Sequence, residues 1–232
     1  MKYLSLKTLR IEKGEVFEIE ERLPREVELE IFANGDLVAR AAITPSMERE
    51  FVAGHLRYRG LIEERSQIRS LKIEGQKAWA EIDPGSEKPG RKPSGEANGT
   101  VRADWILANL ASTLDSELYK KTGGTHTSSL CRGDAVLATA EDVGRLNTLD
   151  KVFGWGILRG LDLGRCYVAT SGRITSATID KVAKFGIPFI ASKGAVTTLA
   201  VEIAEKRDMT LVGFARKARM NVRVGEDMVT LE

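Results

Sequence analysis

The sequence predicts an α/β protein with a mixed, largely parallel sheet and helices on both faces, joined to a smaller β-rich N-terminal part. Two patterns lead there: from Ala135 onward short apolar runs alternate with helical periods, and before Asp83 the dominant period is two. The third is composition, since 42% hydrophobic and 29% charged residues in a chain of 232 supply a real core with a charged surface. That length suits one large domain or two modest ones.

The first eighty residues read mainly as strands. Val27, Leu29 and Ile31 alternate with Glu26, Glu28 and Glu30, and Asn34-Gly35 then marks a hairpin before Leu37 to Ile43. Thr44-Pro45 offers an N-cap and a first-turn proline for a helix running to about Arg59 and stopping at Gly60. Two short strands, near Ile68 to Ile73 and Ala78 to Ile82, join at Gly75. From Asp83 to Thr100 three prolines and four glycines accompany almost no large apolar residue, which reads as a loop. The expected division is therefore a β-rich part with one helix over 1–83, a flexible Pro/Gly loop over 84–101 and an α/β domain over 102–232.

Beyond the loop, Asp104 to Lys121 has helical spacing of Trp105, Leu107, Leu110, Leu114 and Leu118. Ala135 to Ala140 is then a strand, Arg145 to Arg159 a helix, Cys166 to Thr170 a strand and Thr175 to Phe185 a helix. Ile187 to Ser192, Val196 to Lys206 and Met209 to Phe214 continue as strand, helix and strand.

Charge and cysteine usage exclude several functions. Thirty-five Lys and Arg against 33 Asp and Glu leave a net charge of +2, too little for a general duplex nucleic-acid binder. Cys131 and Cys166 form no disulfide framework, and with only His55 and His126 beside them a structural zinc is not expected. Lys2, Lys7 and Arg10 interrupt the first apolar stretch, and no charge-free run approaches the ~18 residues of a membrane span. The expected location is cytoplasmic, with no membrane partner.

In a parallel sheet, ligands bind beyond the carboxyl ends of the strands, where loops and helix N-termini converge. Four such junctions are legible: Glu141 to Arg145, Thr170 to Arg173, Ser192 to Gly194, and Gly213 to Arg216. Each pairs a glycine with a cation, Arg145, Arg173, Lys193 or Arg216, and Ser171 and Ser192 add hydroxyls beside Gly172 and Gly194. Glycine admits close backbone approach, and cations with helix N-termini favour phosphate, so the repeated chemistry predicts a phosphate or pyrophosphate ligand. Asp142 has two readings, an acceptor for a ribose or purine donor, or a residue that stabilises a helix start.

The segment Lys121 to Cys131 is the other dense spot. Gly123-Gly124 is followed by Thr125, His126, Thr127, Ser128 and Ser129, which reads as a polar loop with hydroxyls around an imidazole. His55, inside an amphipathic helix, takes a structural reading. Cys166 opens an apolar strand and reads as core, whereas Cys131, next to Arg132, is open to a structural or a nucleophilic role.

Several long motifs then occur in one order: TPSMEREFVAGHLRYRGLI at Thr44, TGGTH at Thr122, EDVGRLNTLDK at Glu141, TSGRIT at Thr170, GIPFIAS at Gly186, TTLAV at Thr197 and TLVGFARKARMNV at Thr210. Taken together they resemble the FdhD/NarQ family of formate dehydrogenase accessory sulfurtransferases, from about Leu37 to Asn221. The resemblance implies a cytidine-deaminase-like fold, a homodimer, and transfer of sulfur from a cysteine desulfurase to the molybdenum or tungsten bis-pterin guanine dinucleotide cofactor of formate dehydrogenase. It carries no zinc, because the deaminase H-x-E and P-C-x-x-C signature is absent. GDP is the expected mimic, and Gly124, Thr125, His126, Asp142, Arg145, Ser171, Gly172, Arg173, Ser192, Lys193, Arg216 and Asn221 are the expected cofactor-binding residues. Family members usually carry a sulfur-bearing CxxC motif ahead of TGGTH. Here Pro84 to Val101 holds no cysteine, and Ser94 to Gly99 stands about where the motif is expected. Leu146, Ala177 and Val196 stand where histidine, glutamate and proline are usual. If transfer persists, Cys131 is the candidate catalytic thiol; the alternative is a cofactor chaperone or guanine-nucleotide-binding module without it.

Overall fold

A computed structural model describes residues 1–83 and 100–231. The Pro/Gly segment 84–99, with Ser94 to Gly99, lies outside them. Strands β1 (Tyr3–Glu12) and β2 (Glu15–Pro24) form a separate antiparallel ribbon around Lys13-Gly14. Strands β3 (Val27–Ala33) and β4 (Asp36–Ile43) form the expected hairpin. Asn34 and Gly35 both take positive φ, as a two-residue turn demands. The Asn34 amide then exchanges hydrogen bonds with both backbone groups of Ile82.

Helix α1 (Glu48–Tyr58) starts later than the sequence suggests. Thr44 and Pro45 do not cap it, because Thr44 is fully buried and its backbone N–H donates to Asp142 Oδ2 at 3.0 Å. Strands β5 (Ile68–Glu74) and β6 (Lys77–Ile82) complete a sheet of order β4-β3-β6-β5. Leu29, Ile31, Ala78 and Ala80 pack there against Phe51, Val52 and Leu56 of α1.

Short strand β7 (Val101–Arg102) leads into α2 (Ala103–Leu114) and α3 (Glu117–Thr122). The single helix expected over this stretch is two, because the Ser116 hydroxyl accepts the Tyr119 N–H and begins a new helix. Next come β8 (His126–Arg132), β9 (Ala135–Asp142) and α4 (Arg145–Leu158). They are followed by β10 (Tyr167–Thr170), α5 (Ser176–Lys184), β11 (Phe189–Ser192), α6 (Thr198–Lys206) and β12 (Thr210–Arg216). Strand β13 (Arg219–Val224) returns beside β12, and β14 (Val229–Thr230) pairs with β7.

The larger sheet runs β13-β12-β11-β10-β8-β9. It is mixed rather than largely parallel: among its described pairs only β10-β11 and β11-β12 are parallel. Crossover helices α5 and α6 enforce parallel pairing, whereas β8-β9 and β12-β13 are hairpins and therefore antiparallel. The expected polar loop at His126 is strand β8, second from the sheet edge. Its hydroxyls are tolerated inside because each finds a partner: Ser128 bonds Thr148 at 2.6 Å and Thr170 at 2.8 Å, and Ser129 bonds Thr139 and Thr113 at 2.8 Å.

Helices cover both faces. Leu130, Val168, Ile190 and Leu211 meet α4, α5 and α6, while Cys131, Tyr167, Phe189 and Ala191 meet α2. Helix α1 lies so close to α4 that a Cβ on Gly54 would overlap the Asp150 carbonyl oxygen and one on Gly154 the Glu50 carbonyl oxygen. That backbone contact joins the two sheets. No helix among the described residues is long and apolar enough to cross a membrane.

Candidate anion-binding rim

Strand directions bring the sequence-predicted residues to one sheet edge. The carboxyl ends of β10, β11 and β12 share it, and antiparallel β8 delivers its first residue, His126, to the same edge. His126 pairs with Asp142 at the end of β9, and Asn221 pairs with Gly213 on β12.

The loops along this edge are bonded to one another. Ser171 donates its N–H to the Thr127 carbonyl, and its hydroxyl accepts the Thr127 N–H at 2.9 Å. The Ser192 hydroxyl donates to the Gly172 carbonyl at 2.5 Å and accepts the Gly194 N–H at 2.8 Å. The Phe214 N–H continues the series to the Gly194 carbonyl at 3.0 Å. The loops touch closely at two glycines: a Cβ on Gly172 would lie 3.2 Å from Arg145 Cβ, and one on Gly194 3.2 Å from the Arg173 backbone, both tighter than ordinary contact.

Arg173, Lys193, Arg216 and Asn221 are exposed on this rim, while Arg145, Ser171 and His126 are half-buried. Among the described residues, no carboxylate lies within ion-pair distance of Arg145, Arg173, Lys193 or Arg216. Among the described residues, Arg145 Nε and Thr125 Oγ1 are buried without a hydrogen-bond partner, an unsatisfied state that calls for an acceptor or donor from elsewhere. Burial first, then the Arg145 and Arg173 charges, push the His126 imidazole below its usual value. Its Nδ1 sits 3.5 Å from Ser171 Oγ.

Two expected ligand groups serve other purposes. Asp142 is fully buried, and its oxygens accept from Thr44 N, Gly144 N, Asn147 Nδ2 and Lys151 Nζ at 2.5–3.0 Å. It orients the Gly144-Arg145 turn and is closed to a ligand. Ser192 is fully buried between two loops. Gly124 stays exposed, and a Cβ there would meet Pro24 of the ribbon. Lys151, Asn147 and Thr44 were missed by sequence reasoning; Lys151 lies within a quoted motif, but a lysine on a helix ordinarily reads as solvated.

A chain with this site matches the FdhD/NarQ family model over residues 24–101 and 85–229. It is 30% identical to the sulfur carrier protein FdhD of Shouchella clausii, covering 96% of this chain and 95% of the relative. Its identity to the Bacillus subtilis sulfur carrier protein FdhD is 28%, covering 92% of both. The crystal structure of a Desulfotalea psychrophila protein assigned as a formate dehydrogenase accessory protein superposes with a TM-score of 0.89, at 26% identity over 99% of this chain and all of that one.

The chain belongs to the FdhD/NarQ family. As an FdhD/NarQ chain it places its thiols unexpectedly for a sulfur carrier. Cys131 has no exposed surface, and burial pushes its thiol up to about 12. Such a thiol is neither accessible nor ionised near neutral pH, so the nucleophilic reading of Cys131 is corrected to a core residue. Cys166, 3% exposed, is likewise raised by burial despite Arg132 nearby. Among the described residues no group of His, Cys, Asp and Glu is arranged to hold a metal ion.

Proposed function

We propose that this FdhD/NarQ protein binds the bis-pterin guanine dinucleotide form of the molybdenum or tungsten cofactor and assists its maturation for formate dehydrogenase. The observation that supports the reading is the rim itself: four cations without a carboxylate partner among the described residues, and an Arg145 Nε and a Thr125 Oγ1 unpartnered among those residues, along one bonded row of loops. Arg145, Arg173, Lys193 and Arg216 neutralise diphosphate oxygens, and Asn221 supplies a polar contact at the β12-β13 end of the row. His126, lowered in the free chain by burial and by Arg145 and Arg173, hydrogen-bonds the ligand and gains basicity when the anion arrives. The cargo supplies its own metal and sulfur chemistry; the chain binds and orients it. A second copy of the chain covers the apolar ribbon of β1 and β2, where Leu6, Leu9, Ile11 and Val16 stand half or more exposed.

Calorimetry of the full chain with GDP tests the reading. Binding tighter than about 1 mM, weakened about tenfold by Arg173→Ala, supports it. No heat at millimolar ligand, or equal affinity in the variant, refutes it.

The buried thiols favour a second reading within this one, a cofactor chaperone that passes no sulfur through its own cysteines. Incubation with a cysteine desulfurase and labelled cysteine, followed by mass spectrometry, separates the two. A persulfide on Cys131 restores the carrier role, and an unmodified chain supports the chaperone.

A further inference from the structure

Two ion pairs among the described residues have both members buried, and consecutive residues of α4 supply one group to each. Lys151 bonds Asp142 at the turn into α4, whereas Asp150 accepts from Lys181 of α5 with both oxygens at 2.6 Å. The Asp150 and Lys181 side chains are 2% and 4% exposed. Helix α1 closes the cluster: Lys181 Nζ lies 4.0 Å from the centre of the Tyr58 ring, and His55 Nδ1 lies 3.6 Å from Asp150 Oδ2. Burial holds the Lys181 ammonium below its usual value, and Asp150 opposes that effect.

Stability alone is a weak reason for such a pair, because withdrawing two charges from water offsets most of their attraction and packed apolar residues often serve as well. What the pair adds is placement. One ammonium bonded to both oxygens of one carboxylate fixes a point on α4 against a point on α5. Asp150 and Lys181 stand at equal depth, about one and a half turns inside their helices. Farther along, the Phe153 and Phe185 rings meet with centroids 4.6 Å apart. Two contacts along their length thus set how α4 and α5 are spaced.

That spacing reaches the rim. Arg145 is the first residue of α4, and Arg173 stands just ahead of the Thr175 cap of α5, its carbonyl accepting from Thr178 Oγ1 at 3.4 Å. The two arginines are close neighbours: the Arg145 side chain abuts Gly172, and both charges act on His126. Their separation is therefore inherited from the helices that carry them.

We propose that Asp150 and Lys181 are positioning residues, a buried ion pair that sets the distance between Arg145 and Arg173 and so the fit of a ligand with two linked phosphates. The inference rests on the rim reading above and adds no contact to the ligand. A pyrophosphate bridging both cations feels their spacing, whereas a single phosphate settles on either one.

The test is calorimetry of the full chain with inorganic pyrophosphate and with orthophosphate, with urea unfolding measured alongside. Two double variants are compared with wild type, Asp150→Leu with Lys181→Met and the nearly isosteric Asp150→Asn with Lys181→Met. Removing both charges together leaves neither uncompensated, so the variants are expected to fold. They should bind pyrophosphate about tenfold more weakly and orthophosphate as wild type does. In an Arg173→Ala background the same substitutions should cost no further pyrophosphate affinity. Wild-type pyrophosphate affinity in a folded double variant overturns the proposal, as does an equal loss for both anions. Failure of both double variants to fold assigns the pair to stability and overturns it too. A wild-type chain that binds neither anion removes the rim reading and this inference together.

Discussion

Lys151 Nζ lies 2.5 Å from Asp142 Oδ2, and both side chains are withdrawn completely from solvent. The same ammonium donates to the carbonyls of Thr44 and Glu141 at 2.9 and 3.2 Å, so one lysine ties the β4-α1 connection to the end of β9. Burial holds the Lys151 ammonium below its usual value, with Asp142 opposing that effect. Asp142→Asn leaves this cation uncompensated and is expected to cost about 3–5 kcal/mol in urea unfolding. The double variant Asp142→Asn with Lys151→Met should lose less than the sum of the singles. Additive losses would show that the pair is not coupled.

The α1-α4 crossing makes a second prediction. Gly154→Ala brings a helix-propensity gain of about 1 kcal/mol but drives a methyl into the Glu50 carbonyl. Because the obstacle is backbone, we expect a net loss of about 3 kcal/mol. Gly14→Asn is the control: its φ is positive, nothing lies near its Cβ, and asparagine tolerates that conformation. An unfolding midpoint for Gly154→Ala equal to wild type would contradict the close packing.

His126 should titrate below the usual imidazole range, chiefly through burial and then through Arg145 and Arg173. A lowered histidine contributes stability above its unfolded value that is lost as pH falls through about 6.5 toward the folded value. A bound diphosphate reverses the local field, so GDP should raise the His126 pKa and be taken up with a proton. Proton NMR of the imidazole checks both directions, with His126→Gln identifying the resonance. A fall on adding GDP would refute the placement of the anion.

Both cysteines should resist thiol reagents at pH 8 in the folded protein and react fully in denaturant. Burial raises both thiols, and Cys131 lies between strands and α2. Rapid labelling of Cys131 in the native state would reopen its nucleophilic role.

The β1-β2 ribbon exposes Ile11 at 75% and Leu9 at 69%, which an isolated two-stranded ribbon cannot bury by itself. Leu6→Ser combined with Ile11→Ser should convert a dimer to monomer in light scattering without changing the melting of the larger sheet. A dimer that survives both substitutions would place the self-contact elsewhere.

The legible parts of this protein are those where one residue's neighbours in sequence are also its neighbours in space. Asn34-Gly35 specifies its turn because two adjacent residues must both take positive φ. The helix-strand alternation after Ala135 specifies α4 to β12 because apolar periodicity is local. Strand β8 reads as a loop in sequence because Ser128 and Ser129 look soluble until Thr148, Thr170, Thr139 and Thr113 arrive from other segments to satisfy them.

By itself the sequence determined which cations and glycines end the strands, and that the family motifs are present. Only the tertiary structure decided which of those groups face outward. Asp142 is silenced by Lys151, Ser192 by two loops and Cys131 by α2, while Phe214 is turned out by its bond to Gly194. The reason is that burial and hydrogen-bond competition are properties of packed surfaces, and the partners that set them lie many residues away along the chain.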